Sequence, residues 1–163
     1  MEKILNKIFI KNITDFEIDN TIDKILNITT TKSEEHELYK NGHLIKIYVN
    51  NKKIGHARFF EAGDCSNLPT LAYWCGYAKV PNDWKKACAN EFTPNKYDHI
   101  YKIQEITYTN NDVIGWDHGH LHDELVYTNL NGTVKEIVST WLLCKNNRFN
   151  KNDLLQIKNI KTK

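Results

Sequence analysis

The sequence predicts a single α+β domain: a mainly antiparallel sheet with a C-terminal amphipathic helix packed on it. Three observations lead there. Between residues 37 and 117, short runs rich in strand formers alternate with Asn-Gly and Asn-Asn turn signals. Val134, Ile137, Val138, Trp141 and Leu142 recur at helical spacing behind a Thr133-x-x-Glu136 capping box. The 163 residues are 40% hydrophobic and include four tryptophans, enough to bury one core without staples. Residues 1–35 read as an N-terminal helical segment, 36–145 as the sheet and helix core, and 146–163 as a polar tail.

Taken in order, Glu2 to Lys11 alternates weakly and fits a strand or a short helix. Asp15 to Ile28 carries Ile18, Ile22, Ile25 and Leu26 at helical spacing, with Thr14 or Asp15 as cap. Thr29 to Glu35 is polar and reads as a loop. Leu44 to Val49 and Ile54 to Glu61 form a hairpin about Asn50-Asn51. His43 and His56 fall on its surface or face a neighbouring strand. Thr70 to Val80 is apolar on both faces, as a central strand is. Gly76 within it marks a bulge or the close approach of another group. A short helix is expected over residues 82–90. Glu105 to Thr109 and Asp112 to Asp117 pair about Asn110-Asn111. Leu125 to Gly132 reads as a loop, and the last helix starts at Thr133.

Composition excludes some functions. A net charge of +2 gives no strong nucleic-acid signal. The abundance of Lys, Asn and Ile fits an AT-rich genome. No apolar run approaches the ~20 residues of a membrane span, and Met1 to Ile10 lacks the h-region of a secretory signal. Cys65, Cys75, Cys88 and Cys144 show neither CxxC pairs nor ligand spacing, so reduced thiols in a cytoplasm are expected.

The densest chemistry lies in Ile114-Gly-Trp-Asp-His-Gly-His-Leu-His-Asp-Glu124, where a strand is expected to run into a loop. Three readings fit it. His118, His120 and His122 alternate and would share a face if the strand continued, as ligands for a transition metal such as Zn. The loop is similar to the H-x-H-x-D-H loop of metallo-β-lactamase-fold hydrolases, but its last pair is inverted. No histidine follows His122, and the match is rejected. Alternatively His120, between Asp117 and Asp123, is the general base of a small hydrolase, with or without that metal. Cys75 is the candidate nucleophile of such an enzyme. In the third reading Asp117, His120 and Asp123 bind a small polar, nucleotide-like ligand, with Trp74, Tyr77, Tyr108 and Trp116 as aromatic walls and no cofactor. The plainest alternative is that these groups satisfy local backbone in a structural or interaction protein.

The order Cys75-Gly-Tyr77, Val80-Pro81, Tyr97-Asp-His-Ile100, Ile106-Thr-Tyr108, then Gly115-Trp-Asp117-x-x-His120-x-x-Asp123, Tyr127 and a closing helix resembles a family of small phage- and prophage-encoded proteins. That family carries C-G-Y-V-x-V-P, V-H-G-G-[LI]-T-[FY] and G-F-D-C-x-H-x-x-D blocks. The resemblance runs from Tyr73 to Cys144. It departs at Gln104-Glu105, where the family has His-Gly-Gly, and at His118, where the family has Cys. It implies a shared Asp117–His120–Asp123 core, with His118 and His122 as additions of this chain. The expectation is therefore an accessory protein of viral type in the host cytoplasm, with a small polar ligand or a host protein as partner.

Overall fold

The computed structural model describes residues 4–13, 17–26, 31–61, 72–80, 107–110, 112–118 and 127–145. Expectations for the 62–69 loop, the 82–90 helix, and the tail from 146 lie outside the described residues. Six strands form one sheet: β1 (Lys7–Ile10), β2 (Leu44–Val49), β3 (Lys52–Glu61), β4 (Ala72–Lys79), β5 (Tyr108–Asn110) and β6 (Val113–Asp117). Their order is β1-β2-β3-β4-β6-β5, antiparallel except for β1 against β2. The helices are α1 (Ile18–Leu26), α2 (Lys32–Leu38) and α3 (Leu130–Lys145). The α+β class, the mainly antiparallel sheet and the C-terminal helix on it are all present.

The parallel β1–β2 pair explains why the N-terminal segment is not purely helical. Ile8 and Ile10 bury one face of a strand, and the chain returns through α1 and α2 as a parallel connection requires. The expected loop at residues 29–35 contains the start of α2. Thr31 caps it: its side chain accepts from the Glu34 N–H, and the Glu34 carboxylate accepts from the Thr31 N–H. Between β2 and β3, Asn50 and Asn51 both take positive φ, the conformation that a two-residue hairpin of this twist needs. The pairing slips there by one residue, Tyr48 facing Lys53 but Ile47 facing Gly55.

β4 is central, as its two apolar faces predicted, with β3 and β6 as neighbours. Gly76 admits the Trp116 ring. A Cβ at Gly76 would lie 2.7 Å from that indole, so the close approach read from the sequence is real. The ladder partners Gly76 and Trp116 thus let a tryptophan lie flat across the core face.

α3 begins at Leu130, three residues before the expected start. Asn129 accepts from the Gly132 N–H with its side chain, and the Glu35 carboxylate accepts from the Leu130 N–H at 2.8 Å. Those groups supply the cap, so Thr133 and Glu136 lie inside the helix and form no capping box. The Thr133 hydroxyl bonds back to the Asn129 carbonyl. The predicted stripe Val134, Ile137, Val138, Trp141 and Leu142 is buried as expected. The helix, however, is buried almost all round, with Thr133, Glu136, Ser139 and Thr140 inside too. Lys135 joins it to α1 through Asp19 and Asp23. Although its burial opposes ionisation, the Lys135 and Asn131 hydrogen bonds hold the Asp23 carboxyl below its usual range.

Candidate functional site

The strand pleat divides the predicted site residues between the two faces of the sheet. Trp74 and Trp116 face α3 and are buried, at 0% and 2% exposure. Tyr77 and Tyr108 face the other way and touch each other, ring centroids 5.4 Å apart. The four aromatics therefore do not wall one pocket. Two belong to the core and two to the opposite, open face, which among the described residues no helix covers.

On the core face the tryptophans are held by buried carboxylates. Trp74 Nε1 donates to Glu35 at 3.0 Å, and Trp116 Nε1 donates to Glu136 at 3.0 Å. Glu35 also accepts from the Tyr127 hydroxyl, in a very short hydrogen bond, and from Leu130 N–H. Burial, and then the Glu35 charge, push the Tyr127 phenol far above its ordinary range. A carboxylate at the start of a sixteen-residue helix also meets the positive end of its dipole.

His118 turns to this same face. Its Nδ1 lies 2.9 Å from the Trp74 carbonyl and its Nε2 lies 2.8 Å from Glu136 Oε1. A carbonyl can only accept, so Nδ1 carries a proton. The contact to Glu136 then takes one further proton, on Nε2 or on the carboxyl. Either way both ring nitrogens are engaged in tying β6 to β4 and α3, and no ring lone pair faces outward for a metal. Among the described residues no group of three His, Cys, Asp or Glu side chains is placed to hold one. His120, His122 and Asp123 lie outside the described residues.

Asp117 ends β6 on the open face. The ladder aligns it with Cys75, Arg58 and Leu44 in one cross-sheet row. Burial first, and then the Asp117 charge, raise the Cys75 thiol to about 11, although Arg58 opposes the shift. Such a thiol is protonated at neutral pH. Burial raises Tyr77 to about 12 and lifts Tyr73 as well. His56 packs against Tyr77 with ring centroids 4.4 Å apart and the rings tilted by 35°, across adjacent strands.

Burial, with Lys53 and Lys46 alongside, lowers His56 to about 4. A histidine titrates near 6.5 in the unfolded chain, which therefore binds the extra proton between about pH 6.5 and 4. The contribution of the neutral ring is whole above 6.5 and is lost as pH falls toward 4. Allowing for solvent that reaches the ring, wild type should lose about 1–2 kcal/mol more than His56→Phe between pH 7 and 4.5. Urea unfolding of both proteins at the two pH values measures the difference. Parallel losses would mean that His56 is not held neutral.

Sequence reading missed Glu35, Glu136, Arg58 and His56 as members of these constellations. Arg58 and His56 had a signal, the alternation of polar residues with Ala57 and Phe59. Glu35 and Glu136 had none, since Glu35 closes a polar stretch that reads as a loop and Glu136 fits N3 of a capping box. No family model matches the chain, and neither does any curated protein or solved structure. No helix among the described residues is long and apolar enough to cross a membrane.

Proposed function

We propose that the protein is a binding module for a nucleotide-like ligand, held on the open face at its β4–β6–β5 end. The observation that supports this reading is the placing of the Arg58–Cys75–Asp117 row directly beside the Tyr77–Tyr108 ring pair. The rings offer a stacking surface for a base, Arg58 a fork for phosphate, and Asp117 an acceptor for sugar or base donors. His120 and Asp123 enter this reading from the sequence alone, since they lie outside the described residues. The accessory role of viral type belongs to the same proposal, with sequestration of the ligand as its means.

A panel of nucleoside monophosphates, read by thermal unfolding, tests it. At a hundredfold excess over Kd, binding stabilises by about 2.7 kcal/mol, a Tm rise of about 5–10 °C for a chain of this size. Tyr108→Ala, Asp117→Asn and His120→Ala should each reduce the rise. Intact nucleotide should be recovered. If no nucleotide moves Tm, the reading fails. Consumption of the nucleotide would point instead to the hydrolase.

A further inference from the structure

The open face carries more than the Arg58–Asp117 corner uses. One row crosses all six strands in register: Lys7, Lys46, His56, Tyr77, Gly115, Tyr108. It runs from two cations to aromatic rings, and Gly115 places no side chain between the two tyrosines. Beside it a second ring pair, Phe9 on Tyr48, stacks at 4.9 Å and 17°. Phe9 is 56% exposed, and Tyr108 45%. An exposed, stacked phenylalanine on an edge strand contributes little to the core and offers a flat apolar surface to a ring from outside.

The cations on this face are crowded together. Lys53 is aligned with Tyr48, and Lys46 with His56. Burial, and then the charges of Lys46 and Lys79, lower the Lys53 ammonium below its usual range. With Lys7 and Arg58, the described strand residues of this face include five cations and one acid, Asp117. Among the described residues, Glu35 and Glu136 lie in the core and Asp19 and Asp23 pair with Lys135, away from these cations. A second copy of the same face would be repelled. A polyanion that presents flat rings is matched in both charge and shape.

We infer that this face binds single-stranded nucleic acid, its bases stacking on the Tyr77–Tyr108 and Phe9–Tyr48 pairs and its phosphates lying along Lys46, Lys53 and Lys79. The inference rests on the nucleotide-binding reading and extends it across the sheet. Strands lie about 4.8 Å apart, so β1 and β5 at the two ends are separated by about 24 Å. One nucleotide reaches one ring pair, whereas an oligonucleotide reaches both. Stacking and backbone contacts of this kind read little sequence and prefer strands whose bases are unpaired.

The test is fluorescence anisotropy with a labelled ten-residue oligothymidylate, in parallel with thymidine monophosphate and a ten-base-pair duplex. The oligomer should bind at least tenfold more tightly than the monophosphate, and more tightly than the duplex. Three neutralised phosphates predict a log–log salt slope of about −2, shallower in Lys79→Glu. Phe9→Ala, a truncation at an exposed position, should weaken the oligomer about 5- to 150-fold and leave the monophosphate unchanged. If the monophosphate binds and the oligomer gains nothing over it, the extension fails while the nucleotide site stands. If neither binds, both readings fail. Equal binding of the duplex, or an unaffected Phe9→Ala, would show cations acting without a stacking platform and overturn the inference. Binding to phosphatidylserine vesicles without binding to the oligomer would overturn it in favour of a membrane surface.

Discussion

Glu35→Ala should lower the unfolding free energy by about 3–5 kcal/mol. Glu35 is wholly buried and accepts from Trp74 Nε1, the Tyr127 hydroxyl and the Leu130 N–H. Removing it leaves three donors without their acceptor and exposes the first turn of α3 to an apolar void. An unsatisfied buried donor costs about 1–3 kcal/mol, and the three are coupled, so the sum is not simply additive. For a domain with a total stability of about 5–15 kcal/mol this is a large share. The expected fall in Tm is about 10 °C or more. Glu35→Gln should cost less than Ala but still a substantial part, because its amide turns a donor toward a donor. Urea unfolding with an unchanged m-value measures both variants. A loss under 1 kcal/mol for Ala would show that α2 does not cap α3 through this carboxylate.

The second large effect is steric. A Cβ added at Gly55 would lie 2.2 Å from the Tyr77 carbonyl oxygen and 2.8 Å from Ile137 Cγ2. The nearer obstacle is backbone of the adjoining strand, so it cannot rotate away. Either β3 moves off β4 or α3 lifts from the sheet. Gly55→Ala should therefore destabilise by about 3 kcal/mol or more, at the upper end of overpacking. Gly76→Ala meets a ring instead of a carbonyl, Trp116 at 2.7 Å, and the ring is fixed by Glu136. Its cost should be similar or slightly smaller. Both variants are to be compared by thermal and urea unfolding. If Gly55→Ala melts within 2 °C of wild type, the β3–β4 contact is looser than the structure describes.

These effects fall where the sequence was least informative. Glu35 closes a polar stretch that reads as a loop, and the Thr133-x-x-Glu136 spacing matches a capping box. That local pattern lost to tertiary caps from Asn129 and Glu35, which start α3 at Leu130. Glu136 was thereby freed to meet Trp116 and His118. The loop expected over residues 29–35 contains the start of α2, where Thr31-x-x-Glu34 carried the same capping signature and was the one that formed. Periodicity was dependable where one strong pattern filled a segment, as in β2, β3 and the buried stripe of α3.

By itself the sequence determined the α+β class, the hairpin at Asn50-Asn51, the central position of β4 and the tight approach at Gly76. These follow from backbone preference and from which residues must leave water. It also drew attention to Asp117 and His118 as neighbours in a cluster. Only the tertiary structure decided that these two residues part company, because consecutive side chains on a strand point to opposite faces. His118 goes to the buried carboxylate of Glu136, and Asp117 to the open row with Cys75 and Arg58. The cationic, ring-bearing face likewise arises from register among strands far apart in sequence, which no local pattern encodes.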